Sequence, residues 1–587
     1  MKNNTEMVII GKEKLKNLIL GMKNKKIPNY GLLPVISVAF TLLIAIVTTK
    51  EYNNILGISG NTLEIVVKTL FWVCTFYIVG VIISYLYLRQ KNGKFTYDLD
   101  DLENQIIQSN QHETDDLFVL LFPKVNNNEL EFLVRKKETW GNSYFCPYIE
   151  GIGKSDVSNY TDEIKRRILD KYSISIPIKI LHLDNLDLSN VKLTTNDLPK
   201  TFNYRFLLIL PRSSFFKNAL NDELNGFEFK SISQLLDDPS TLKYNEDIVS
   251  NIKMNQAIIV KQFKENSPSN SKIVWNIDKK CSETCSFCAY GGTQLSDEVL
   301  TLEQKKLLID SLKSININTI DIATGDNPNI LELQEIIKYI KTTLKLKISL
   351  TTISLVIDQL DIGFIRQNIE TIEITYDYPK GKEYTHRSNS YNLGNYSTAK
   401  KLIKAKIQVE ASVVLHSNLE FKDLAEIKRD LKSIGVKRIL LIRLMPVGRL
   451  SYDEYPENFL KRNTYIKTLN LNQIGSDGVK LHCSLQGVQN NNTTNRPCEM
   501  GISKLGISSD GNFYICPWGE HLTQEENPFK LGNPLDETTD VRTFLKENQA
   551  YNEILKRSDV NQPHCKIFCF LDKADMFSRS DRLYLDQ

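Results

Sequence analysis

The stretch that decides the fold is IVWNIDKKCSETCSFC, at positions 273–288. Its first half, IVWNID, is a mostly apolar run that predicts a buried strand. Its second half places Cys281, Cys285 and Cys288 in the loop directly after that strand. Three thiols within so short a loop indicate metal ligation rather than disulfide pairing.

The cysteine distribution and the net charge limit the functional class. Eight of the ten cysteines lie beyond position 280, whereas a disulfide framework would distribute pairs through a small secreted domain. We therefore expect a reducing compartment. The formal net charge of +3 gives no electrostatic argument for a nucleic-acid partner.

Strand and helix patterns alternate after the first strand. Further strands are predicted at TIDIAT, KISLTT, TIEITYD, IQVEASVVL and RILLIRLM (319–324, 347–352, 371–377, 407–415 and 438–445), with helices at 301–315, 330–344 and 423–434. Six β/α units predict a parallel sheet covered by helices, here an open partial (β/α)6 barrel of the α/β class. The loops after the strands build the active site of such barrels.

The spacing Cys281-x3-Cys285-x2-Cys288, with Phe287 before the last cysteine, resembles the radical S-adenosylmethionine (SAM) signature. The resemblance implies a 4Fe–4S cluster in which three thiolates leave one iron open. In that family SAM chelates the open iron, and its reductive cleavage gives a 5′-deoxyadenosyl radical that abstracts hydrogen from substrate. A zinc knuckle is the alternative, but it needs a fourth ligand and the next cysteine is Cys483.

Other family features occur in altered form. Thr324-Gly325-Asp326-Asn327-Pro328 stands where the family usually carries Gly-Gly-Glu-Pro, and Thr375-Tyr376-Asp377 stands where Ser-x-Asp is common. The resemblance implies SAM contacts at Phe287, Thr324, Gly325, Asp326, Asp377 and Arg387. An ordinary barrel salt bridge is the alternative for Asp377 and Arg387. RLMPVGR at 443–449 resembles the same position in radical SAM peptide maturases, and no catalytic residue is assigned.

A second cysteine group follows the barrel. Cys498-x12-Gly511-x4-Cys516 contains Asp510-Gly511, which predicts a hairpin turn that brings the two cysteines together. The spacing resembles the SPASM and Twitch extensions that hold auxiliary clusters. With Cys565 and Cys569 there are four ligands, enough for one auxiliary 4Fe–4S cluster. A structural zinc in the same cysteines is the alternative.

Three cysteines remain outside these two groups. Cys74 lies in an apolar run and Cys146 in the region before the barrel. Lone cysteines are usually small buried hydrophobic residues. Cys483 also stays a candidate ligand or radical-quenching donor.

Residues 91–265 predict an α+β domain with mixed strands. WGNSYFCPYIEGIG (140–153) and NGFEFKSISQLLDD (225–238) resemble parts of a Nudix domain. Nudix hydrolases bind metal through glutamates of an Arg-Glu-x-x-Glu-Glu helix. Matching Arg166 to that arginine puts Arg167, Asp170 and Lys171 at the acidic positions, so we expect a Nudix-like fold without pyrophosphohydrolase activity. An unrelated regulatory domain is the alternative.

Two uncharged apolar runs, at 31–49 and 69–88, have the length of membrane-spanning helices. Two buried core helices are the alternative. Basic residues flank the pair on its outer sides: Lys12, Lys14, Lys16, Lys23, Lys25 and Lys26 before it, and Arg89, Lys91 and Lys94 after it. The loop between the runs offers only Lys50 and Lys68, so both ends and the catalytic domains are expected in the cytosol.

The sequence thus predicts five regions: a basic cytosolic N-terminus (1–29), two membrane spans (30–90), a Nudix-like domain (91–265), a radical SAM barrel (266–475) and a SPASM/Twitch-like domain (476–587). The resemblances imply an oxidoreductase that modifies a peptide or protein and receives electrons from a donor such as flavodoxin or ferredoxin, and the two apolar runs predict that it is anchored in the membrane. Two alternatives remain. One is radical modification of a nucleotide-linked small molecule presented by the Nudix-like domain. The other is a non-catalytic, membrane-anchored nucleotide sensor.

Overall fold

The computed structural model describes residues between 115 and 571. It leaves out 127–128, 138–141, 151–159, 195–198, 218, 220–222, 225, 269, 284, 290–298, 383–386, 388, 416–418, 446, 451–477, 486–497, 523–525, 538 and 558–564. The expected membrane spans at 31–49 and 69–88, and Cys74, lie outside the described residues. Within the described part, no helix is long and apolar enough to cross a membrane. The described residues belong to one compact unit.

The N-terminal lobe, residues 115–266, is built from two sheets and the helices beside them. Its described strands are β1 Asp115–Leu121, β2 Pro123–Asn126, β3 Glu129–Lys137, β4 Ser143–Phe145, β5 Tyr148–Glu150, β6 Ile178–His182, β7 Leu188–Thr194, β8 Pro199–Pro211 and β9 Glu228–Ser231. Its described helices are α1 Tyr160–Tyr172, α2 Ile232–Leu236, α3 Pro239–Met254 and α4 Gln256–Asn266. One sheet has the order β5-β1-β8-β6, with β7 on β8, and the other joins β2, β4 and β9 through β3. Because β1 runs parallel to β8 and antiparallel to β5, the expected α+β order with mixed strands is confirmed.

The barrel is one parallel sheet covered by helices. Its strands are β10 Lys272–Asp278, β11 Thr319–Thr324, β12 Lys347–Thr351, β13 Thr371–Thr375, β14 Gln408–Leu415, β15 Arg438–Arg443 and β16 Val479–Leu481. Its described helices are α5 Leu302–Ser311, α6 Ile330–Thr343, α7 Ser354–Ile357, α8 Ile362–Asn368, α9 Asn389–Lys404 and α10 Phe421–Ile434. All neighbours from β10 to β16 pair in parallel and in chain order, so the predicted six β/α strands are confirmed and β16 adds a seventh.

The last described region extends the same sheet on its other side. Its elements are β17 Lys504–Ile507, β18 Phe513–Tyr514, β19 Lys530–Gly532, α11 Val541–Glu547, α12 Gln549–Lys556 and α13 Lys566–Leu571. Strand β17 pairs in parallel with β10, and β17, β18 and β19 follow one another antiparallel. The predicted turn at Asp510-Gly511 joins β17 to β18, so the hairpin is confirmed.

The two faces of the barrel sheet differ in chemistry. Ile348 and Leu350 of β12 are fully buried in one hydrophobic core with Ile336 of α6. Ser349 and Thr351, which alternate with them, are only partly buried and face away from the helices. Since side chains alternate along a strand, the barrel has an apolar outer face and a polar interior.

Candidate active site

The loop after β10 carries Cys281, Cys285 and Cys288 at the carboxyl edge of the parallel strands. Cys285 is buried, and the other two are partly exposed. Burial raises the pKa of the Cys281 and Cys285 thiols, and the Cys288 thiol adds to the rise in both. The three thiols therefore lie near enough to interact at the edge where barrel active sites form.

Residues at the end of β11 hold this loop in place. The amide of Ser282 donates a hydrogen bond of 2.7 Å to Asp326 Oδ1, and its hydroxyl donates to Oδ2. A Cβ on Gly325 would lie 1.9 Å from the carbonyl oxygen of Lys280, so only glycine allows this approach. Gly325 and Asp326 thus act as positioning residues for the cysteine loop, and their contact with SAM stays a prediction.

Arg387 joins the cysteine loop to the end of β13. Its Nη1 lies 2.7 Å from Asp377 Oδ2, and both side chains are largely buried. Its guanidinium carbon stands 4.7 Å from the centroid of the Phe287 ring, and its positive charge opposes the effect of burial on the pKa of Cys285. The salt bridge that the sequence analysis gave as the alternative for Asp377 and Arg387 is therefore present, and its arginine contacts the cysteine loop.

The buried carboxyl of Asp377 is held by more than this ion pair. Burial raises its pKa, while Arg387 and a hydrogen bond from the Val414 amide, 3.0 Å from Oδ1, oppose that rise. On the neighbouring strands, Thr324 Oγ1 lies 2.7 Å from Thr352 Oγ1. Hydrogen bonds therefore join the carboxyl ends of β11 and β12, and those of β13 and β14.

Two site residues, Gly448 and Arg449, were not assigned from the sequence. The Arg449 amide donates a hydrogen bond of 3.1 Å to the Cys288 carbonyl, and Nη1 of the same residue donates one of 2.9 Å to the carbonyl of Glu283. A Cβ on Gly448 would lie 2.1 Å from the carbonyl oxygen of Ala289, and Gly448 has φ +69°. The RLMPVGR resemblance was the available signal, although it did not indicate these contacts.

The donor chemistry of this loop fits a 4Fe–4S cluster. Three neighbouring thiols supply three soft ligands, and the guanidinium of Arg387, paired with Asp377, opposes the rise that burial causes in the pKa of Cys285. Among the described residues, no group of three or more His, Cys, Asp or Glu is arranged to hold a metal ion. Each thiolate of a cube binds a different iron, so the ligands of a cluster lie farther apart than the ligands of one ion.

A second group of thiols lies beside the β17–β18 hairpin. The amide of Gly501 donates a hydrogen bond of 3.0 Å to the carbonyl of Ile515. This bond holds the segment that follows Cys498 next to the segment that contains Cys516. Burial raises the pKa of Cys498 to about 11, with a further contribution from Cys483. Burial also raises the pKa of Cys516, and Cys498 and then Cys483 add to that rise. Cys483, left as an open alternative by the sequence, is therefore close to both.

The remaining two candidate ligands are Cys569 on helix α13 and Cys565, the residue directly before that helix. Cys565 is partly buried, Cys569 is fully buried, and the Cys569 amide donates 3.1 Å to the Cys565 carbonyl. The charge of Lys566 acts on the pKa of Cys498, so the start of this helix lies near the hairpin thiols. The joint ligation of Cys498, Cys516, Cys565 and Cys569 stays a prediction.

In the N-terminal lobe, the predicted signature helix is α1. Arg166 pairs with Glu163 at 2.6 Å and with Asp170 at 2.8 Å, and Arg167 pairs with Glu163 at 2.9 Å. The ammonium of Lys171 lies 4.1 Å from the centroid of the Tyr148 ring. Hydrogen bonds from Arg166 and then Arg167 lower the pKa of Glu163 to about 2. Glu163 and Asp170 of this helix are therefore engaged by its own arginines.

The fold and the site together define a class of protein. Its members are parallel barrels with a three-cysteine loop after the first strand. No family model and no curated protein matches this chain. Solved structures are similar to parts of it. SuiB of Streptococcus suis bound to precursor peptide SuiA is 13% identical, with 57% of this chain and 81% of that chain covered and a TM-score of 0.42. Native anSMEcpe with bound AdoMet is 16% identical, with 49% of this chain and 83% of that chain covered and a TM-score of 0.35. Methylornithine synthase PylB is 14% identical, with 38% of this chain and 68% of that chain covered and a TM-score of 0.28. With TM-scores below 0.5 these remain likenesses and carry no argument about function.

Proposed function

We propose that this protein is a radical SAM enzyme that removes a hydrogen atom from a peptide or protein substrate. The observation that carries the proposal is the cysteine loop at the carboxyl edge of the barrel, bonded to Asp326 and Arg449. Cys281, Cys285 and Cys288 would hold the 4Fe–4S cluster, which would supply the electron that splits SAM into methionine and a 5′-deoxyadenosyl radical. Hydrogen transfer from the substrate would convert that radical to 5′-deoxyadenosine.

The residues around the loop would support this chemistry in separate ways. Asp326 and Arg449 fix the backbone that presents the thiols, and Arg387 places a positive charge beside Cys285. The ion pair of Arg387 with Asp377 keeps that guanidinium buried at the rim. The barrel interior would exclude bulk water from the radical.

The test is SAM cleavage by anaerobically reconstituted full-length protein. With dithionite as the electron source, the wild type should form 5′-deoxyadenosine, and Cys285→Ala should not. Cys146→Ala is the matched control, because it removes a buried thiol of the N-terminal lobe and leaves the cysteine loop intact. Equal 5′-deoxyadenosine formation by wild type and Cys285→Ala would refute the assignment.

We further infer an auxiliary 4Fe–4S cluster bound by Cys498, Cys516, Cys565 and Cys569, with Cys483 as another candidate ligand. The hairpin contact and the mutual effects of the Cys483, Cys498 and Cys516 thiols support it. The peptide or protein substrate rests on the resemblance of this region to SPASM and Twitch extensions.

We also infer that the two apolar runs anchor the chain in the cytoplasmic membrane with its catalytic part in the cytosol. The basic residues outside the pair support this orientation. In the same way, we infer that the N-terminal lobe is a Nudix-like recognition module without hydrolytic activity. The ion pairs of α1 support the loss of metal binding.

A further inference from the structure

The interior of the barrel carries a carboxylate below the candidate SAM site. Ile372 and Ile374 of β13 are buried in the core with the helices, so Glu373 between them faces the interior. The strand register places Glu373 beside Thr351 of β12 and Glu410 of β14. It lies two residues before the end of β13, about 7 Å below the rim.

The four charged residues that act on Glu373 are paired with each other. Lys272 Nζ lies 2.8 Å from Asp321 Oδ2, and Arg438 forms an ion pair with Glu410. These four residues and Glu373 make up the interior charge cluster. It contains two cations and three carboxylates, so one negative charge is uncompensated when Glu373 is ionised.

Polar groups of the interior also lack partners within the described residues. The Glu373 carboxylate makes no hydrogen bond or ion pair there. Ser349 Oγ and Arg438 Nε are buried without a hydrogen-bond partner. Buried polar groups of this kind are rare, because an unmade hydrogen bond leaves the desolvation cost unrecovered. These two atoms, on the same interior face as the unpaired carboxylate of Glu373, indicate a surface shaped for a polar ligand.

We propose that the interior charge cluster binds a cationic group of the substrate, an alkylammonium or a guanidinium, through the carboxylate of Glu373. This proposal deepens the proposed function and rests on it. A lysine or arginine side chain that enters from the rim could reach Glu373, because it extends about as far as the two strand residues that separate Glu373 from the rim. Such a substrate would be held at two depths, with its reacting carbon near the rim and its charge below.

The electrostatics of the site agree with this geometry. Burial, and then the charge of Asp321, raise the pKa of Glu373 to about 7. The charges of Lys272 and Arg438 oppose this rise, and the charge of Glu410 adds to it. His482 also interacts with Glu373, but burial lowers its pKa to about 3 and keeps it neutral. A bound cation favours the ionised carboxylate. Binding should therefore strengthen as pH rises through 7, and weaken by at most about tenfold per unit below it.

The test uses full-length, SAM-loaded protein and capped pentapeptides Gly-Gly-Xaa-Gly-Gly, with binding measured by calorimetry. Xaa is lysine or arginine in the cationic peptides, and norleucine or citrulline in their neutral counterparts. We expect the cationic peptides to bind about tenfold more tightly, as for one charge-assisted hydrogen bond. Equal affinities, or no binding of the cationic peptides at millimolar concentration, would overturn the proposal.

Variants locate the effect. Glu373→Gln should abolish the preference for the cationic peptides and its pH dependence. The matched control is Glu370→Gln, which removes an equal charge from an exposed carboxylate paired with Lys347. A preference that survives in Glu373→Gln would overturn the proposal. If Glu373→Gln does not fold, the pH dependence of the wild type tests the proposal instead. Its affinity for the lysine peptide should rise between pH 6 and pH 8, and a flat profile would contradict the proposal.

The outcome is distinguishable from failure of the proposed function. Formation of 5′-deoxyadenosine by the wild type without peptide tests SAM cleavage alone. Cleavage without a preference for cations would overturn only the substrate inference. Absence of cleavage, with or without peptide, would refute the radical SAM assignment itself.

Discussion

The amide of Arg449 donates a hydrogen bond of 3.1 Å to the carbonyl oxygen of Cys288. This contact joins the loop after the sixth strand to the loop after the first. The amide of the preceding residue, Gly448, donates a hydrogen bond of 3.0 Å to the carbonyl of His521, which belongs to the C-terminal region. One two-residue segment therefore bonds to both the candidate SAM loop and the region of the auxiliary thiols.

Gly448→Ala should impair cluster binding, because its Cβ would collide with the carbonyl of Ala289 and displace the cysteine loop. Iron content per protein and 5′-deoxyadenosine formation are the measurements. Gly381→Ala is the matched control: Gly381 also has a positive φ, but a Cβ there meets no atom within 4 Å. We expect Gly381→Ala to cost only the backbone strain, about 1 kcal/mol. Equal iron loss in both variants would show that contact with the loop is unimportant.

Asp326 should affect SAM binding through Ser282. Asp326→Ala removes both hydrogen bonds to that residue and should weaken SAM affinity about tenfold, while Ser282→Ala removes one and should weaken it less. Calorimetry of both variants and the double variant measures the coupling, and we expect the double variant to match Asp326→Ala. If Ser282→Ala has no effect while Asp326→Ala is strongly impaired, Asp326 acts by direct contact with SAM instead.

The sequence predicts the barrel well because its strands have regularly spaced apolar residues and alternate with clear helices. The six expected strands lie within two residues of those observed, and the three-cysteine loop is where its position in the pattern placed it. The pairing of β17 with β10 was not predicted, since so short a strand carries too little pattern to reveal a partner far away along the chain. Glu373 was also missed. In TIEIT it alternates like a residue on a solvent-facing strand, and only closure of the barrel turns that face inward.

The auxiliary thiols should bind iron independently of the first loop. Reconstituted wild type should contain about eight irons, and the variant with Cys281, Cys285 and Cys288 all changed to alanine about four. Adding Cys483→Ala to that variant should lower the iron content further if this thiol is a ligand, whereas adding Cys146→Ala should not. One zinc and no iron in the triple variant would make the site structural.

The membrane topology can be tested on the full-length chain. Reporter fusions at the N-terminus and after Arg89 should both report the cytosol, because the lysines and arginines flank the apolar pair on its outer sides. A fusion within the loop at 51–67 is the internal control and should report the opposite side. A periplasmic signal after Arg89 would mean that one of the two runs does not span.

The N-terminal lobe should bind no catalytic divalent metal. Pyrophosphate hydrolysis by a Nudix domain needs a metal that activates water and neutralises phosphate charge, and that metal needs free carboxylates on one helix. On α1, Glu163 is engaged by Arg166 and Arg167, and Asp170 is engaged by Arg166.

Full-length protein with Mg²⁺ or Mn²⁺ should therefore hydrolyse neither ADP-ribose nor UDP-glucose above the rate of a buffer control. Using the full chain matters, because Arg212 and Ser213 of the lobe bond to Leu555 and Tyr551 of the C-terminal region. Glu163→Gln and Asp170→Asn are the diagnostic variants. Robust hydrolysis that either substitution abolishes would show that α1 binds metal after all and that the protein carries two activities. Nucleotide binding without hydrolysis would agree with a recognition module, since the ion-paired cations of α1 could turn toward an anionic ligand at the exposed surface of the helix.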